Sequence, residues 1–331
     1  MYNTYYGLTA KPFQLNPDPN FYFGSKGHSR AMAYLEYGLS QEDGFIVITG
    51  EVGAGKTTLV RNLCRRLQSE KIVVAQIVNT ALDAADILRM AAASLDLPFE
   101  NVSKAALLLR LEMFARDCAK QGKRILLIVD EAQNLSHHAL EELRMLSNMQ
   151  SYDQPLLQTF LLGQPEFRAI LMSEGMKQLR QRVIATYHLG PLDEDDSRAY
   201  IEHRLSTAGW QGDPCISDDA FDAIYGYTQG IPRKINTFCD RMFLMGYLEE
   251  LHAFGTREVD KVMADIDEEF AAPPSTEVGT DHTIAELTPA SSDIDAIERR
   301  VSRMESSVTT LVDALRKMIS APLKSVSSKN P

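Results

Sequence analysis

The chain has 331 residues, of which 44% are hydrophobic and 24% charged, a length and composition suited to two soluble globular domains and not to a fibrous or disordered protein. Its net charge of −11 comes almost wholly from residues before 271, so the body repels a nucleic-acid backbone on average, which counts against nucleic acid as a partner. Cys64, Cys118, Cys215 and Cys239 are scattered with no C-x-x-C spacing, which argues against a disulfide framework or a zinc site and fits a reducing cytoplasm.

Residues 1–44 are rich in aromatics and prolines (Tyr5, Tyr6, Pro12, Phe13, Pro17, Pro19, Phe21, Tyr22, Phe23). So many large apolar groups predict a lead-in packed on the core, with a helix over 31–39. The start, Met1-Tyr2-Asn3-Thr4-Tyr5-Tyr6, lacks the basic region and apolar core of a signal peptide. No run approaches the ~20 apolar residues of a membrane helix.

Phe45-Ile46-Val47-Ile48 is short, apolar and β-prone, so it reads as a buried strand. Gly50-Glu51-Val52-Gly53-Ala54-Gly55-Lys56-Thr57 follows, in the pattern G-x-x-x-x-G-K-S/T. Apolar residues then recur at helical spacing through Leu59, Val60, Leu63, Cys64 and Leu67. Strand, glycine loop and helix together make a phosphate cradle: loop N–H groups face the anion and the new helix's dipole favours it. The pattern implies ATP, with Gly50, Glu51, Val52, Gly53, Ala54, Gly55, Lys56, Thr57 and Thr58 around it. Lys56 would serve the β- and γ-phosphates, and the Thr57 hydroxyl Mg²⁺.

Further strands are predicted at 71–78, 125–129, 156–162 and 183–189, with helices at 83–95, 104–121 and 137–149. This alternation predicts an α/β domain over 45–190 with a parallel sheet covered on both faces. Asp130 and Glu131 end the third strand, 74 residues beyond Lys56. They belong at the carboxyl edge of the sheet, the edge where Lys56 begins its helix. Asp130 is the expected second Mg²⁺ ligand beside Thr57, and Glu131 the expected catalytic carboxylate that polarises water. Gln164 follows the fourth strand and reads either as a γ-phosphate or water contact or as a loop residue before a helix. Arg180 and Arg182 precede the fifth strand, either as a basic turn or as arginines that enter a neighbouring subunit's nucleotide site. His137 and His138 face different ways on one helix and read as surface residues.

From 191 to 269 helical periodicity takes over, at 194–208, 217–228, 232–250 and 256–268, with no convincing strand, so a small all-α lid is expected. Arg233, in Gly230-Ile231-Pro232-Arg233, enters a lid helix and is either a nucleotide contact from the lid side or a surface arginine. Trp210 is expected to pack in the lid. Residues 270–292 read as a linker, and 321–331 as a disordered tail. Between them, Ile294, Ile297, Val301, Met304, Val308, Leu311, Leu315 and Met318 alternate three and four apart. That spacing fits a coiled coil over 293–320 or an amphipathic helix folded back on the body.

Taken together, these motifs make the chain resemble the AAA+ branch of P-loop NTPases: the acidic pair, Gln164, the arginines before the fifth strand and Gly-Ile-Pro-Arg follow that family's order. The resemblance implies a strand order of 5-1-4-3-2. Tyr5-Tyr6-Gly7-Leu8, Pro12-Phe13, Asn16-Pro17-Asp18-Pro19, Phe21-Tyr22, Asp130-Glu131-Ala132-Gln133-Asn134-Leu135 and Gly190-Pro191-Leu192 narrow it. Over about residues 1–265 they look like the general-secretion (ExeA-like) ATPases, closest to the branch of exosortase and exopolysaccharide export loci. Secretion members usually continue into a transmembrane helix and a cell-wall-binding part, where this sequence has a linker and heptads. The resemblance therefore implies a Mg²⁺-dependent ATPase that assembles or powers a bacterial envelope export system. It would be cytoplasmic or peripheral at the inner membrane. Its partners would be further copies of itself, in a ring or dimer, and inner-membrane export or polysaccharide-synthesis proteins docked through 293–320. The alternative the motifs leave is a DNA-associated ATP switch of the transposition target-selection type.

Overall fold

A computed structural model describes residues 2–16, 18–67, 71–78, 84–151 and 154–270. The predicted heptad segment, the linker and the tail beyond it lie outside these residues.

Five strands form one parallel sheet: β1 (Phe45–Gly50), β2 (Ile72–Ile77), β3 (Arg124–Val129), β4 (Leu157–Gly163) and β5 (Val183–Leu189). Their spatial order is β2-β3-β4-β1-β5, the expected 5-1-4-3-2 read from the other edge, with every pairing parallel. The interior strand β1 is buried at all six positions. Its alternation divides the core. Phe45 and Val47 face a layer made by α3 (Ala84–Ser94), α4 (Lys104–Lys120), α5 (His137–Leu146) and α6 (Glu166–Met172), through Leu88, Leu111, Leu140 and Phe167. Ile46 and Ile48 face α1 (Lys26–Ser40) and α2 (Lys56–Leu67) through Leu35, Leu59 and Leu63. A strand buried on both faces has no polar side, which is why its sequence reads as an unbroken apolar run.

Helix starts are set by side-chain oxygens that accept otherwise unpaired N–H groups. Ser25 Oγ accepts from the His28 N–H at 3.2 Å, and Ser136 Oγ from that of Ala139 at 3.1 Å. Asp193 Oδ1 accepts from the Asp196 N–H at 2.7 Å, at the start of α8 (Glu194–Thr207), the next helix after the one-turn α7 (Lys177–Arg180). Three more helices follow: α9 (Asp218–Thr228), α10 (Pro232–Leu248) and α11 (Thr256–Phe270). They form the expected helical domain, with one added detail: Cys215–Ile216 pairs in parallel with Ala253–Phe254. Each stretch is two residues long, too short to give a strand signal in sequence. Trp210 packs against this domain's core and donates from Nε1 to the Pro214 carbonyl at 3.1 Å.

The lead-in does pack, but its first half joins the helical domain. Tyr2, Tyr6, Leu8, Phe13 and Phe21 share a core with Leu205, Phe238, Met242, Phe243 and Phe254. The Tyr2 hydroxyl donates to Asp240 at 2.6 Å, and the Tyr6 hydroxyl to the Leu251 carbonyl at 2.9 Å. Arg204 donates from Nε to the Pro12 carbonyl at 2.5 Å and toward that of Gln14 at 3.4 Å. The chain then enters α1 on the α/β body. Residues 14–16 and 18–25 therefore belong to a strap from the helical domain to the sheet domain. No helix among the described residues is long and apolar enough to cross a membrane.

Candidate nucleotide site

The glycine loop after β1 wraps as the motif predicts, and the neighbours explain its glycines. Gly53 and Gly55 hold φ of +85° and +98°, a left-handed region where a side chain is strained. A Cβ on Gly50 would come within 2.4 Å of the Leu189 carbonyl oxygen at the end of β5. Helix α2 follows at once, its Leu59 N–H donating to the Gly55 carbonyl at 2.9 Å.

Lys56 is buried, 7% exposed, and donates to the carbonyls of Gly50 at 2.7 Å and Glu51 at 3.0 Å. Burial lowers its pKa from the ordinary lysine value, while the nearby carboxylates of Glu131, Asp130, Glu51 and Glu166 oppose that shift. The Thr57 hydroxyl donates to Asp130 Oδ2 at 2.8 Å, across the sheet edge. Asp130 is 3% exposed, and its other oxygen accepts the Glu131 N–H at 3.0 Å. Strand order explains the meeting: β1 and β3 flank β4, so their carboxyl ends lie one strand apart at the same rim.

Glu131 has φ of +52°. This left-handed turn breaks the extended geometry of β3, so two adjacent carboxylates take separate positions. Glu131 Oε2 accepts from Gln133 Nε2 at 2.6 Å and from Gln164 Nε2 at 3.1 Å. The Gln133 Oε1 in turn accepts the Gln164 N–H at 3.0 Å. Burial pushes the Glu131 pKa up, but the two amide donors and the Lys56 charge outweigh it and hold the carboxyl below its usual range. Gln164 therefore sits at the acidic pair, not in a free loop. In sequence Gln133 stands out only as part of the Asp130–Leu135 motif, with nothing to assign it a role of its own.

A cavity of about 380 Å³ opens on this rim. Val52, Gly53, Gly55, Lys56, Thr57, Thr58 and Glu131 line it from the α/β body; Ala54 is buried just behind. The helical domain contributes Tyr200, Arg204, Asn236 and Arg233. The Arg233 N–H donates to the Gly53 carbonyl at 3.2 Å, so the first turn of α10 rests on the glycine loop. The strap supplies a third wall, with Gln14, Asn16, Phe21 and Tyr22. The aromatic content of that segment predicts burial, but nothing in its sequence places it over the loop.

Arg180 and Arg182 do not line the cavity. Arg180 Nη1 donates to the carbonyls of Leu171 at 2.7 Å and Ser173 at 2.9 Å, closing the end of α6. Arg182 Nη1 donates to the Ser147 carbonyl at 3.0 Å and its hydroxyl at 2.9 Å, just after α5. Both guanidiniums hold carbonyls of their own chain. His137 and His138 are exposed at the start of α5.

A buried ammonium on main-chain carbonyls, a hydroxyl–carboxylate pair beside it and a loop with no room for Cβ atoms form a donor set for a triphosphate and a hard cation. Comparison with known proteins gives the family and the fold. The AAA domain family profile matches residues 39–171. The general secretion pathway protein A of Aeromonas hydrophila is 38% identical over 255 residues, 76% of this chain and 46% of that protein. The chain thus spans less than half the length of this curated relative. Among solved structures, the Aeropyrum pernix ORC2 protein in ADPNP–ADP complexes aligns with a TM-score of 0.58 at 17% identity, covering 79% of this chain and 74% of that one. Cdc6p from Pyrobaculum aerophilum aligns with a TM-score of 0.58 at 15% identity, covering 77% and 70%. At such identities the structural likeness establishes the fold alone.

Proposed function

The chain belongs to the AAA-type P-loop ATPases and is related over 76% of its length to general secretion pathway protein A; on that premise we propose that it hydrolyses ATP to assemble or drive a bacterial envelope export system. One observation carries the reading: the Thr57 hydroxyl meets Asp130 at 2.8 Å on the rim that also holds Lys56 and Glu131. Thr57 and Asp130 would hold Mg²⁺, which supplies charge neutralisation at the phosphates. Lys56 would exchange its two carbonyl partners for phosphate oxygens, and the triphosphate would then offset the penalty of burying its charge. Glu131 would accept the proton of the attacking water at Oε1 or Oε2. Gln133 and Gln164 hold that carboxylate in the structure, so they would set its direction and, by keeping it ionised, its readiness to accept.

Arg233 would touch the phosphates from the helical domain, so binding would pull α10 against the glycine loop. The strap would move with that domain, because Tyr2, Tyr6 and Phe13 are fixed in its core. Such a change of lid angle would alter contacts between copies of the chain, with Arg180 or Arg182 entering a neighbour's site once released from its own carbonyls. The kinship with a general secretion protein supports an envelope export role, and the heptads of 293–320 support a helix-docking partner or self-pairing. Exopolysaccharide or exosortase-linked export at the inner membrane is the specific system proposed.

Two assays test the reading. Phosphate release per chain should rise as the protein is concentrated from the nanomolar to the micromolar range, and Lys56→Ala should abolish it; a flat, concentration-independent rate removes the oligomer part. In the host, loss of the gene should stop polymer export and the wild-type gene should restore it. Equal restoration by a Glu131→Gln gene would remove the motor part.

A further inference from the structure

The glycine loop is braced by a residue outside its motif. His28 lies in the first turn of α1, ahead of β1 in sequence, and its ring is 6% exposed. Its Nδ1 is 2.8 Å from Ser25 Oγ, and the same oxygen accepts the His28 main-chain N–H at 3.2 Å. The Ser25 oxygen could donate to Nδ1 or accept from it, so the other edge of the ring decides: Nε2 faces a carbonyl, which can only accept, so the proton of the neutral ring belongs on Nε2 and the Ser25 hydroxyl donates to Nδ1. The Nε2 edge faces the Ala54–Gly55 peptide. The Ala54 carbonyl is its backbone partner, and a Cβ on Gly55 would come within 2.7 Å of Nε2. Burial keeps the ring neutral at pH 7 by lowering its pKa, opposed by the Ala54 carbonyl and the Asp196 carboxylate; the Tyr22 ring stands edge-on at 6.2 Å.

A trans peptide is planar, with its C=O and the following N–H on opposite sides. A ring that holds the Ala54 carbonyl therefore fixes the Gly55 N–H in the opposite direction, away from the ring. Main-chain N–H groups of such a loop are what bind phosphate oxygens, and their worth depends on being fixed before the anion arrives.

We propose that His28 is a positioning residue for the triphosphate site: by holding the Ala54 carbonyl it fixes the Gly55 N–H in the orientation that donates to a phosphate oxygen. This rests on the ATP reading above. It also gives Gly55 a second reason to lack a side chain, since the brace occupies the space a Cβ would fill.

The test is equilibrium binding of ATP with Mg²⁺ to the full chain by titration calorimetry, beside the melting temperature of the nucleotide-free protein. Wild type should bind and Lys56→Ala should not; no binding by wild type means that the ATP reading fails, not this one. His28→Phe fills the space without a donor and should weaken ATP by about tenfold, as expected for one misdirected hydrogen-bond donor to a charged group. His28→Gln restores an N–H donor and should recover affinity to within about threefold of wild type. His28→Phe binding like wild type, or His28→Gln binding as weakly as His28→Phe, overturns the proposal. Should His28→Phe fold poorly, Ser25→Ala keeps the imidazole but removes the hydroxyl that donates to its Nδ1. An affinity loss of about threefold is expected there, and wild-type affinity overturns the proposal.

Discussion

Gly53→Ala isolates the contact between the helical domain and the glycine loop. Gly53 has φ of +85°, and a Cβ built there falls 2.3 Å from the Cβ of Arg233. Neither atom can step aside, since each is bonded directly to backbone, so α10 must lift. Lifting it breaks the Arg233 N–H bond to the Gly53 carbonyl. Placing an L-residue in the left-handed region costs about 1–2 kcal/mol, and one backbone hydrogen bond contributes about 0.5–1.5 kcal/mol. Together the closed arrangement should lose about 1.5–3.5 kcal/mol, or roughly 10- to 400-fold in population. Titration calorimetry should show the Kd for ATP rising by that factor. Gly226→Ala is the control: nothing lies within 4 Å of its would-be Cβ in α9. It should stabilise the fold by about 0.5–1 kcal/mol and leave the affinity unchanged. A Gly53→Ala protein that binds ATP within about threefold of wild type would refute the idea that the lid rests on the loop when nucleotide binds.

Phe243 is fully buried against Tyr2, Tyr6, Phe13 and Phe254, where the lead-in meets the helical domain. Phe243→Ala should cost about 3–5 kcal/mol in urea denaturation, and a loss below about 1 kcal/mol would mean that the lead-in is not part of that core. The pH dependence of stability should carry a His28 component. Its folded pKa lies below the ordinary 6.5, so the unfolded chain binds more protons as pH falls through that value. The resulting penalty is absent above pH 6.5 and complete below the folded pKa. His28→Gln should flatten this acid-side loss between pH 7 and 5; an unchanged slope would contradict the assignment.

The parts of this molecule that sequence revealed are those whose physics is local. β1 and β3 are buried on both faces, so they appear as unbroken apolar runs, and the motif between β1 and α2 is dictated by the ligand it suits. Asp130 and Glu131 were found because they end such a run. Their separate roles follow from the motif, but the geometry that parts them does not, because it depends on the left-handed turn at Glu131 and on amides from two different loops. The destination of the lead-in was equally hidden: aromatic content says that a segment is buried, but not against which domain. Arg180 and Arg182 carry no mark in sequence of the carbonyls of Leu171, Ser173 and Ser147 that hold them. His28 resembles any helix-start histidine until the Ala54–Gly55 peptide is placed beside it.

The most direct measurement is single-turnover phosphate release by Glu131→Gln, with ATP affinity determined on the same preparation. The side chain keeps its size and both neighbouring amides, but the base is gone. ATP should bind as in wild type while the hydrolysis step slows by at least about 100-fold, the ordinary contribution of a positioned general base. A Glu131→Gln protein that releases phosphate at the wild-type rate would contradict the account at its centre.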